Sequence, residues 1–148
     1  MLTKSSKNAI RAVLYLTTKS SINNKMSAKE VALGLEIPGP FLAKTMQELT
    51  KNNIVTSVKG PNGGFYLSEK NKKKTLLDVI ATIDNIEKFD ECFLGQLECN
   101  EDKPCVLHHL YTPFKKSILN KLKTKSILEM AQEYALNNNV SDLLTNKE

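Results

Sequence analysis

The sequence predicts a mainly α-helical fold with one small β-hairpin. Apolar residues recur at helical spacing in several segments, and one short run of β-branched residues precedes a glycine-rich turn. The 148 residues include only six Gly and five Pro, and 41% are hydrophobic. This composition suits one globular domain with an extension and excludes a disordered chain.

Charged residues make up 25% of the sequence and break up every apolar run, which excludes a membrane-spanning helix. The first twenty residues contain charges within their apolar stretch and no small-residue cleavage motif follows, so a secretory signal is not expected. We therefore expect a cytoplasmic protein.

The charge of the chain differs between its two halves. Residues 1–74 contain thirteen Lys and Arg against four acidic residues, a balance of +9, whereas residues 75–148 contain eight against twelve, a balance of −4. Charge distribution informs on partners more than on fold, so the first half is expected to meet a polyanion. Lysines on solvated helix surfaces would give the same composition.

Two helices are predicted before residue 36. Helical spacing of apolar residues indicates the first over residues 5–18. The second is indicated by Ser27 and Glu30, whose spacing is that of a capping box. Its inward positions are expected to be Val31, Ala32 and Leu35.

The break at residues 34–38 precedes a third helix. One face of that helix is expected to carry Phe41, Leu42, Met46 and Leu49. Two short helices joined by a tight turn are typical of a helix-turn-helix, whose second helix enters the major groove of DNA. The opposite face would offer donors to bases and phosphates from Lys44, Gln47 and Lys51. Taken alone, such a pair is equally typical of two packed helices with a solvated outer face.

The segment that follows favours DNA binding. Residues 54–58 and 65–67 are predicted strands, and the turn between them contains three glycines. A hairpin directly after a helix-turn-helix is a wing. Its glycine backbone, Gly63 included, can lie close to another surface, and Lys59 and Asn62 can reach a minor groove or its phosphates.

The second half of the chain begins with a lysine-rich linker over residues 70–74 and a helix starting near Thr75. Residues 85–105 lack periodicity. A long helix is then predicted from Val106 to about Leu122, interrupted by Pro113. Its apolar positions, at near-heptad spacing, are Leu107, Leu110, Phe114, Ile118 and Leu122. We interpret this stripe as a homodimer seam, with packing inside the chain as the alternative. A short helix over residues 127–136 and a flexible tail complete the chain.

All three cysteines lie in the aperiodic segment, as Cys92, Cys99 and Cys105, and His108 and His109 follow them. An odd number of thiols in a reducing compartment argues against a disulfide framework. Zinc knuckles use shorter cysteine gaps than these. Three thiolates and one imidazole suit an iron–sulfur cluster better.

Other interpretations of the cysteines stay open. Free cysteines also serve as small buried hydrophobic residues. A catalytic pair of Cys105 and His108 is conceivable, but no oxyanion motif accompanies it, so no enzyme is expected. Cys105 is expected in the first turn of the long helix, where residues three apart share one face, so Cys105 and His108 can meet one iron. His109 could also come near.

These features together resemble the Rrf-type winged-helix transcriptional regulators of bacteria, the group of IscR, NsrR and CymR. The resemblance rests on the wing string over residues 57–67 and the three cysteines ahead of a long helix, and covers roughly residues 1–135. It implies a homodimer on a palindromic operator of double-stranded DNA, with a cluster controlling DNA affinity. It also implies cluster ligands at Cys92, Cys99 and Cys105.

The fourth ligand differs among branches of that family. In the branch that regulates cluster assembly it is a His three residues after the last Cys, which corresponds to His108. In the nitric-oxide branch it is an acidic residue near the partner's N-terminus, where this chain has Asn8 and no acid before Glu30. Lys59 stands where the wing of this family commonly has Arg. Lys makes a point-charge contact, whereas Arg can make two parallel hydrogen bonds.

The sequence therefore predicts four regions: a winged helix-turn-helix over residues 1–84, a cluster loop over 85–105, the dimerisation and C-terminal helices over 106–136, and a flexible tail over 137–148. The expected cofactor is an iron–sulfur cluster, 2Fe–2S being favoured and 4Fe–4S the alternative. The cluster would sense iron supply, redox stress or nitric oxide. The rival hypotheses are a cluster-free regulator answering to a protein or metabolite, and a small zinc or thiol protein.

Overall fold

Residues 2–137 are described by a computed structural model, and they form seven α-helices, a short 3₁₀ helix and one two-stranded antiparallel sheet. The helices are α1 (Lys4–Lys19), α2 (Ala28–Leu35), α3 (Gly39–Lys51), α4 (Glu69–Lys72), α5 (Leu76–Ile83), α6 (His108–Thr124) and α7 (Ile127–Asn137). The strands are β1 (Thr56–Val58) and β2 (Gly64–Tyr66), and the 3₁₀ helix is Ile86–Asp90. The predicted helical fold with a β-wing is confirmed.

The helix-turn-helix is formed by α2, a tight turn and α3. The capping box at the start of α2 is present: the Ser27 amide donates to Glu30 Oε2 at 2.7 Å, and the Glu30 amide donates to Ser27 Oγ at 3.1 Å. The turn is made by Glu36 in the left-handed region, with φ of 55°, and by Pro38 directly before α3. These local signals end one helix and start the next as predicted.

The inward face of α3 differs from the prediction at one position. Leu42, Met46 and Leu49 are buried, but Phe41 is 55% exposed, so its expected inward position is wrong. Successive helical residues differ by about 100° around the axis, which turns Phe41 away from the face of Leu42. The inward position is filled by Thr45 instead, which is buried.

The first wing strand is shorter than predicted, and the second is shifted by one residue. Ile54 and Val55 lie before β1, because their amides donate to the Leu49 carbonyl at 2.9 and 3.3 Å and so close the C-terminal end of α3 instead of pairing in the wing. The second strand begins at Gly64 and ends at Tyr66, which leaves Leu67 outside it as a core residue. The register pairs Thr56 with Tyr66 and Val58 with Gly64.

The lysine-rich segment over residues 70–74 is not only a linker, because its first half belongs to the one-turn helix α4. Ser68 caps this helix, and Asn71 occupies the third position of the capping box. Asn71 is buried and joins three parts of the chain. Its Oδ1 accepts from Thr56 Oγ1 and from Ser68, and its Nδ2 donates to the Asn53 carbonyl.

The core surrounds α1. Ala9, Ala12, Val13 and Leu16 are fully buried, and α1 packs against α2, α3, α5 and α7. Ile127 and Ala131 of α7 belong to the same apolar cluster. The end of the described chain therefore packs on the same helix that supports α2 and α3.

The long helix α6 begins at His108 rather than at Val106, and it continues through Pro113 instead of being interrupted there. The hydrogen bond that proline removes is that of the His109 carbonyl, in an exposed turn. No residue of α6 is buried, although Leu122 packs against the core. The first half of the helix thus leaves apolar side chains exposed.

The predicted tail over residues 137–148 falls, apart from the last residue of α7, outside the described residues. Within residues 2–137, no helix has the length and apolar character needed to cross a membrane.

Candidate DNA-binding face and cysteine–histidine site

The exposed face of α3 carries the three predicted donors. Lys44, Gln47 and Lys51 are exposed and follow one another at helical spacings of three and four. They lie opposite the buried residues of the same helix. This placement leaves their polar groups free to meet a groove, as the sequence predicts.

The wing presents Lys59 and Asn62 at its exposed tip. Gly63 has a role inside the hairpin, because a Cβ there would collide with the Val58 carbonyl oxygen. The Gly63 amide donates to the Gly60 carbonyl at 2.9 Å, which closes the turn. The backbone of Gly63 therefore lies close to other backbone atoms of the wing.

A polar loop before α2, over residues 22–26, lies beside the wing. This contact was not predicted from the sequence. Met26 and Phe65 exchange two backbone hydrogen bonds of 3.0 and 2.7 Å, so the loop pairs with β2 on the side away from β1. A cleft of about 610 Å³ separates loop and wing tip and is lined by Asn23, Asn24 and Asn62 among others. The Asn-Asn-Lys string at residues 23–25 was the available signal.

The three cysteines converge in the loop between α5 and α6. Their sulfur atoms lie within 4.8 Å of one another, and Cys92 Sγ is 3.6 Å from Cys105 Sγ. Two turns bring them together. Gly95, with φ of 76°, donates its amide to the Cys92 carbonyl at 2.9 Å. Asn100 Oδ1 accepts from the amides of residues 102 and 103.

The thiols differ in acidity. Burial opposes ionisation of Cys92, but hydrogen bonds from the amides of Gln96 and Leu94 and from the other two thiols outweigh it and lower its pKa from 9.0 to about 7. The pKa of Cys99 is raised: the Cys105 amide favours its thiolate, but burial and the two neighbouring sulfurs oppose ionisation more. Cys92 is thus readier than Cys99 to bind a metal as thiolate.

The predicted placement of Cys105 is wrong. Cys105 precedes α6, whose cap is Leu107, so Cys105 and His108 share no helical face. The His108 amide instead donates to the Cys105 carbonyl at 3.1 Å, which closes a turn. This turn places His108 Nδ1 3.3 Å from Cys99 Sγ.

A second group of ligand-type side chains, Glu101, His108 and His109, adjoins the thiols, and of these three only Glu101 was missed by the sequence analysis. His108 Nε2 lies 3.2 Å from Glu101 Oε1. The hydrogen bond from His108 lowers the pKa of Glu101 against the effect of burial, with help from the positive charge of nearby groups. The His109 ring stands edge-on to His108, 5.3 Å between centroids.

Asn8 faces its own chain. It is 3% exposed, and its Oδ1 accepts from Arg11 Nη1 at 3.1 Å. The position that is acidic in the nitric-oxide branch therefore offers neither a carboxylate nor an exposed side chain.

A helix-turn-helix with an exposed polar face, a wing beside it and a separate soft-ligand site define a winged-helix transcriptional regulator. The family model described as "Rrf2: Iron-dependent Transcriptional regulator" matches residues 2–133, and the chain belongs to the Rrf2 family. The predicted resemblance is confirmed. Because this is a family of DNA-binding regulators, DNA is the partner of the chain and the protein is not an enzyme.

Relatives of known sequence agree with this assignment. A protein of Aquifex aeolicus (strain VF5), described as an HTH-type transcriptional regulator, is 36% identical over 124 residues, which are 82% of this chain and 85% of the relative. The HTH-type transcriptional regulator NsrR of Bacillus licheniformis is 27% identical over 147 residues, covering 99% of this chain and 94% of NsrR.

Solved structures share the fold. CymR, the global cysteine regulator of B. subtilis, superposes with a TM-score of 0.69 at 16% identity, covering 90% of this chain and 98% of CymR. T. potens IscR superposes with a TM-score of 0.66 at 19% identity, covering 94% and 92% of the two chains.

Proposed function

We propose that this regulator is a homodimer that binds a palindromic operator and that Cys92, Cys99, Cys105 and His108 hold an iron–sulfur cluster, favoured as 2Fe–2S. The cluster would report iron supply, redox stress or nitric oxide by changing operator affinity. The observation that carries this proposal is the grouping of the four side chains into two close pairs, Cys92 with Cys105 and Cys99 with His108.

The pair distances support two metal-binding halves. Two sulfurs at about 2.3 Å from one tetrahedral metal are about 3.8 Å apart, and a sulfur and an imidazole nitrogen are slightly closer. The pairs in this chain are 3.6 and 3.3 Å apart. Two pairs of ligands suit a 2Fe–2S cluster, in which each iron takes two protein ligands. When bound, the cluster supplies one-electron chemistry.

The exposed face of α6 supports the dimer. Leu110 and Phe114 are 75% and 57% exposed, and with Phe93 they border an apolar pocket of about 200 Å³. An exposed apolar patch of this kind marks an interaction surface. A two-fold seam here would fix the two α3 helices about 34 Å apart, one turn of DNA.

Phe93 links the cluster loop to this seam. It directly follows Cys92, and its ring lies 5.1 Å from that of Tyr111 on α6. Metal uptake that changes the position of Cys92 would move Phe93 against α6. The state of the loop would then bias the geometry in which a dimer meets DNA.

Cluster binding is tested by anaerobic purification, absorption spectroscopy and assays of iron and sulfide. We expect a coloured protein with about two irons and two sulfides per chain. Cys92→Ala, Cys99→Ala and Cys105→Ala should each abolish the colour, and His108→Ala should lose or destabilise it, while His109→Ala is the matched control. An unchanged spectrum in His108→Ala would refute the fourth ligand. A colourless protein with one zinc would refute the cluster.

The DNA face is tested by operator affinity at several salt concentrations. Lys44→Ala and Lys59→Ala should each weaken binding and lower the log–log salt slope by about one, because each lost phosphate contact releases about one counterion fewer. Lys123→Ala, an exposed lysine at the far end of α6, is the control. If both variants behave like Lys123→Ala, the DNA face lies elsewhere.

The seam is tested by sedimentation velocity on Leu110→Glu, with Ser117→Glu as a control at another exposed position of α6. A buried charge opposes association, so Leu110→Glu should be monomeric and lose specific DNA binding. An intact Leu110→Glu dimer would exclude this face as the seam.

One observation also favours a cluster-free thiol regulator. Cys92 and Cys105 have their sulfurs 3.6 Å apart, close enough for a small movement to join them as a disulfide. Mass spectrometry after mild oxidation of metal-free protein would detect that bond. A metal-free preparation that binds operator and forms it would favour this function over the cluster.

A further inference from the structure

Glu101 lies against His108 on the side of the ring away from Cys99. His108 Nε2 is 3.2 Å from Glu101 Oε1, while His108 Nδ1 is 3.3 Å from Cys99 Sγ. The two ring nitrogens thus have different partners. The His108 side chain is only 12% exposed, whereas that of Glu101 is 73% exposed.

These contacts determine which nitrogen carries the proton of the neutral ring. An ionised carboxylate only accepts hydrogen bonds, so the bond to Glu101 requires a proton on Nε2. Nδ1 then keeps its lone pair, and this lone pair is the electron pair that a metal would take. The ring is therefore held with its ligating nitrogen toward the sulfurs before any metal arrives.

We infer that Glu101 is a positioning residue for the cluster: it accepts the Nε2 proton of His108 and so aims Nδ1 at the metal beside Cys99. The inference rests on the proposed function of the cysteine–histidine site. A carboxylate behind a metal-bound imidazole orients the ring and raises its basicity, and losing such a partner costs about 10–100-fold in metal affinity.

Glu98 provides a matched control. It belongs to the same loop, its side chain is also 73% exposed, and it pairs with Lys103 Nζ at 2.8 Å instead of with His108. Glu98→Ala therefore removes one exposed carboxylate and the same unit of charge without touching the ring. Glu101→Gln keeps an acceptor oxygen but loses the charge. Its rates of proton exchange and of iron transfer should lie between those of wild type and of Glu101→Ala.

The first experiment uses the metal-free protein with a chelator present, at a pH where imidazole is neutral. NMR measures the exchange of the His108 Nε2 proton with solvent. We expect exchange about tenfold faster in Glu101→Ala than in wild type, because a charge-assisted hydrogen bond is lost, and no change in Glu98→Ala. Equal exchange in the two variants would refute the pairing of Glu101 and His108.

The second experiment uses the reconstituted protein. Transfer of iron to a chelator should be about tenfold faster in Glu101→Ala than in Glu98→Ala. Pulsed EPR of the reduced cluster should show an altered quadrupole coupling of the remote, proton-bearing imidazole nitrogen in Glu101→Ala alone. A general loosening of the loop would not change that coupling in a cluster still bound through His108.

The outcomes separate the two proposals. If wild type takes up no cluster, the proposed function fails and His108 is no ligand. If wild type takes up the cluster and Glu101→Ala matches Glu98→Ala in transfer rate and nitrogen coupling, only the role of Glu101 is refuted.

Discussion

Asn71 is the residue whose loss should most directly loosen the wing. Its side chain, in a residue only 5% exposed, joins the end of α3 at Asn53, the start of β1 at Thr56 and the cap of α4 at Ser68. In Asn71→Ala all three partners lose a hydrogen bond to this buried side chain. The wing would then be held on the helix-turn-helix by fewer contacts.

The magnitude follows from the hydrogen bonds. Asn71 Oδ1 accepts from Thr56 Oγ1 at 2.6 Å and from the Ser68 amide at 2.8 Å, and Nδ2 donates to the Asn53 carbonyl at 2.9 Å. Each net bond is worth about 1 kcal/mol, so the three together give a loss of roughly 3 kcal/mol in the free energy of unfolding. For a chain of this length that corresponds to a fall in Tm of roughly 6–12 °C.

Thermal unfolding followed by circular dichroism checks this value, with all variants at one protomer concentration because subunit association would shift Tm. Asn52→Ala is the control: Asn52 Nδ2 donates only to the Glu48 carbonyl, at an exposed helix end. We expect Asn52→Ala to lower Tm by no more than about 2 °C, which corresponds to about 0.5 kcal/mol. An Asn71→Ala protein as stable as Asn52→Ala would refute the role given to this network.

Three further predictions concern single positions. Asn53 has φ of 59°, in the left-handed region. Asn53→Ala should therefore lower the free energy of unfolding in urea by about 1 kcal/mol, and Asn53→Gly should not lower it; equal losses of stability in the two variants would contradict this. Gly63→Ala should weaken operator binding in gel-shift titration because of the clash with the Val58 carbonyl, while Gly39→Ala, which meets open space, should not. In metal-free protein, peptide-resolved alkylation should give Cys92 a midpoint near pH 7, set by its pKa of about 7, well below that of Cys99, whose pKa is raised; coincident profiles of these two cysteines would exclude a selectively acidified Cys92.

Local signals in the sequence predicted the DNA-binding half well. The capping box of Ser27 and Glu30, the glycine turn of the wing and the apolar periodicity of α1 each depend on residues a few positions apart. Such short-range rules hold because groups a few residues apart come into contact independently of how the rest of the chain folds. Phe41 is an exception: it was assigned to the face of Leu42, but adjacent residues of a helix differ by about 100° around its axis, and Phe41 is exposed.

Contacts across longer stretches of sequence were harder to predict. Asn71 lies in a lysine-rich string that reads as a linker, and its partners Asn53 and Thr56 are 18 and 15 residues away. The cysteine spacing indicated a metal site, but the partner of His108 depends on where α6 starts. Because α6 begins only after the turn at Cys105, the sulfur next to His108 is that of Cys99 and not, as expected, that of Cys105.

The two halves of the described chain differ in how firmly they are held, and this difference supports control by the cluster. The DNA-binding half is built on α1, whose core residues are fully buried, whereas α6 has none buried and reaches the core cluster through Leu122. The first turn of α6 comes directly after the loop that carries Cys99 and Cys105. Metal binding at that loop would therefore move the least anchored part of α6, the part with the exposed apolar face, while the fold of the DNA-binding half stays unchanged.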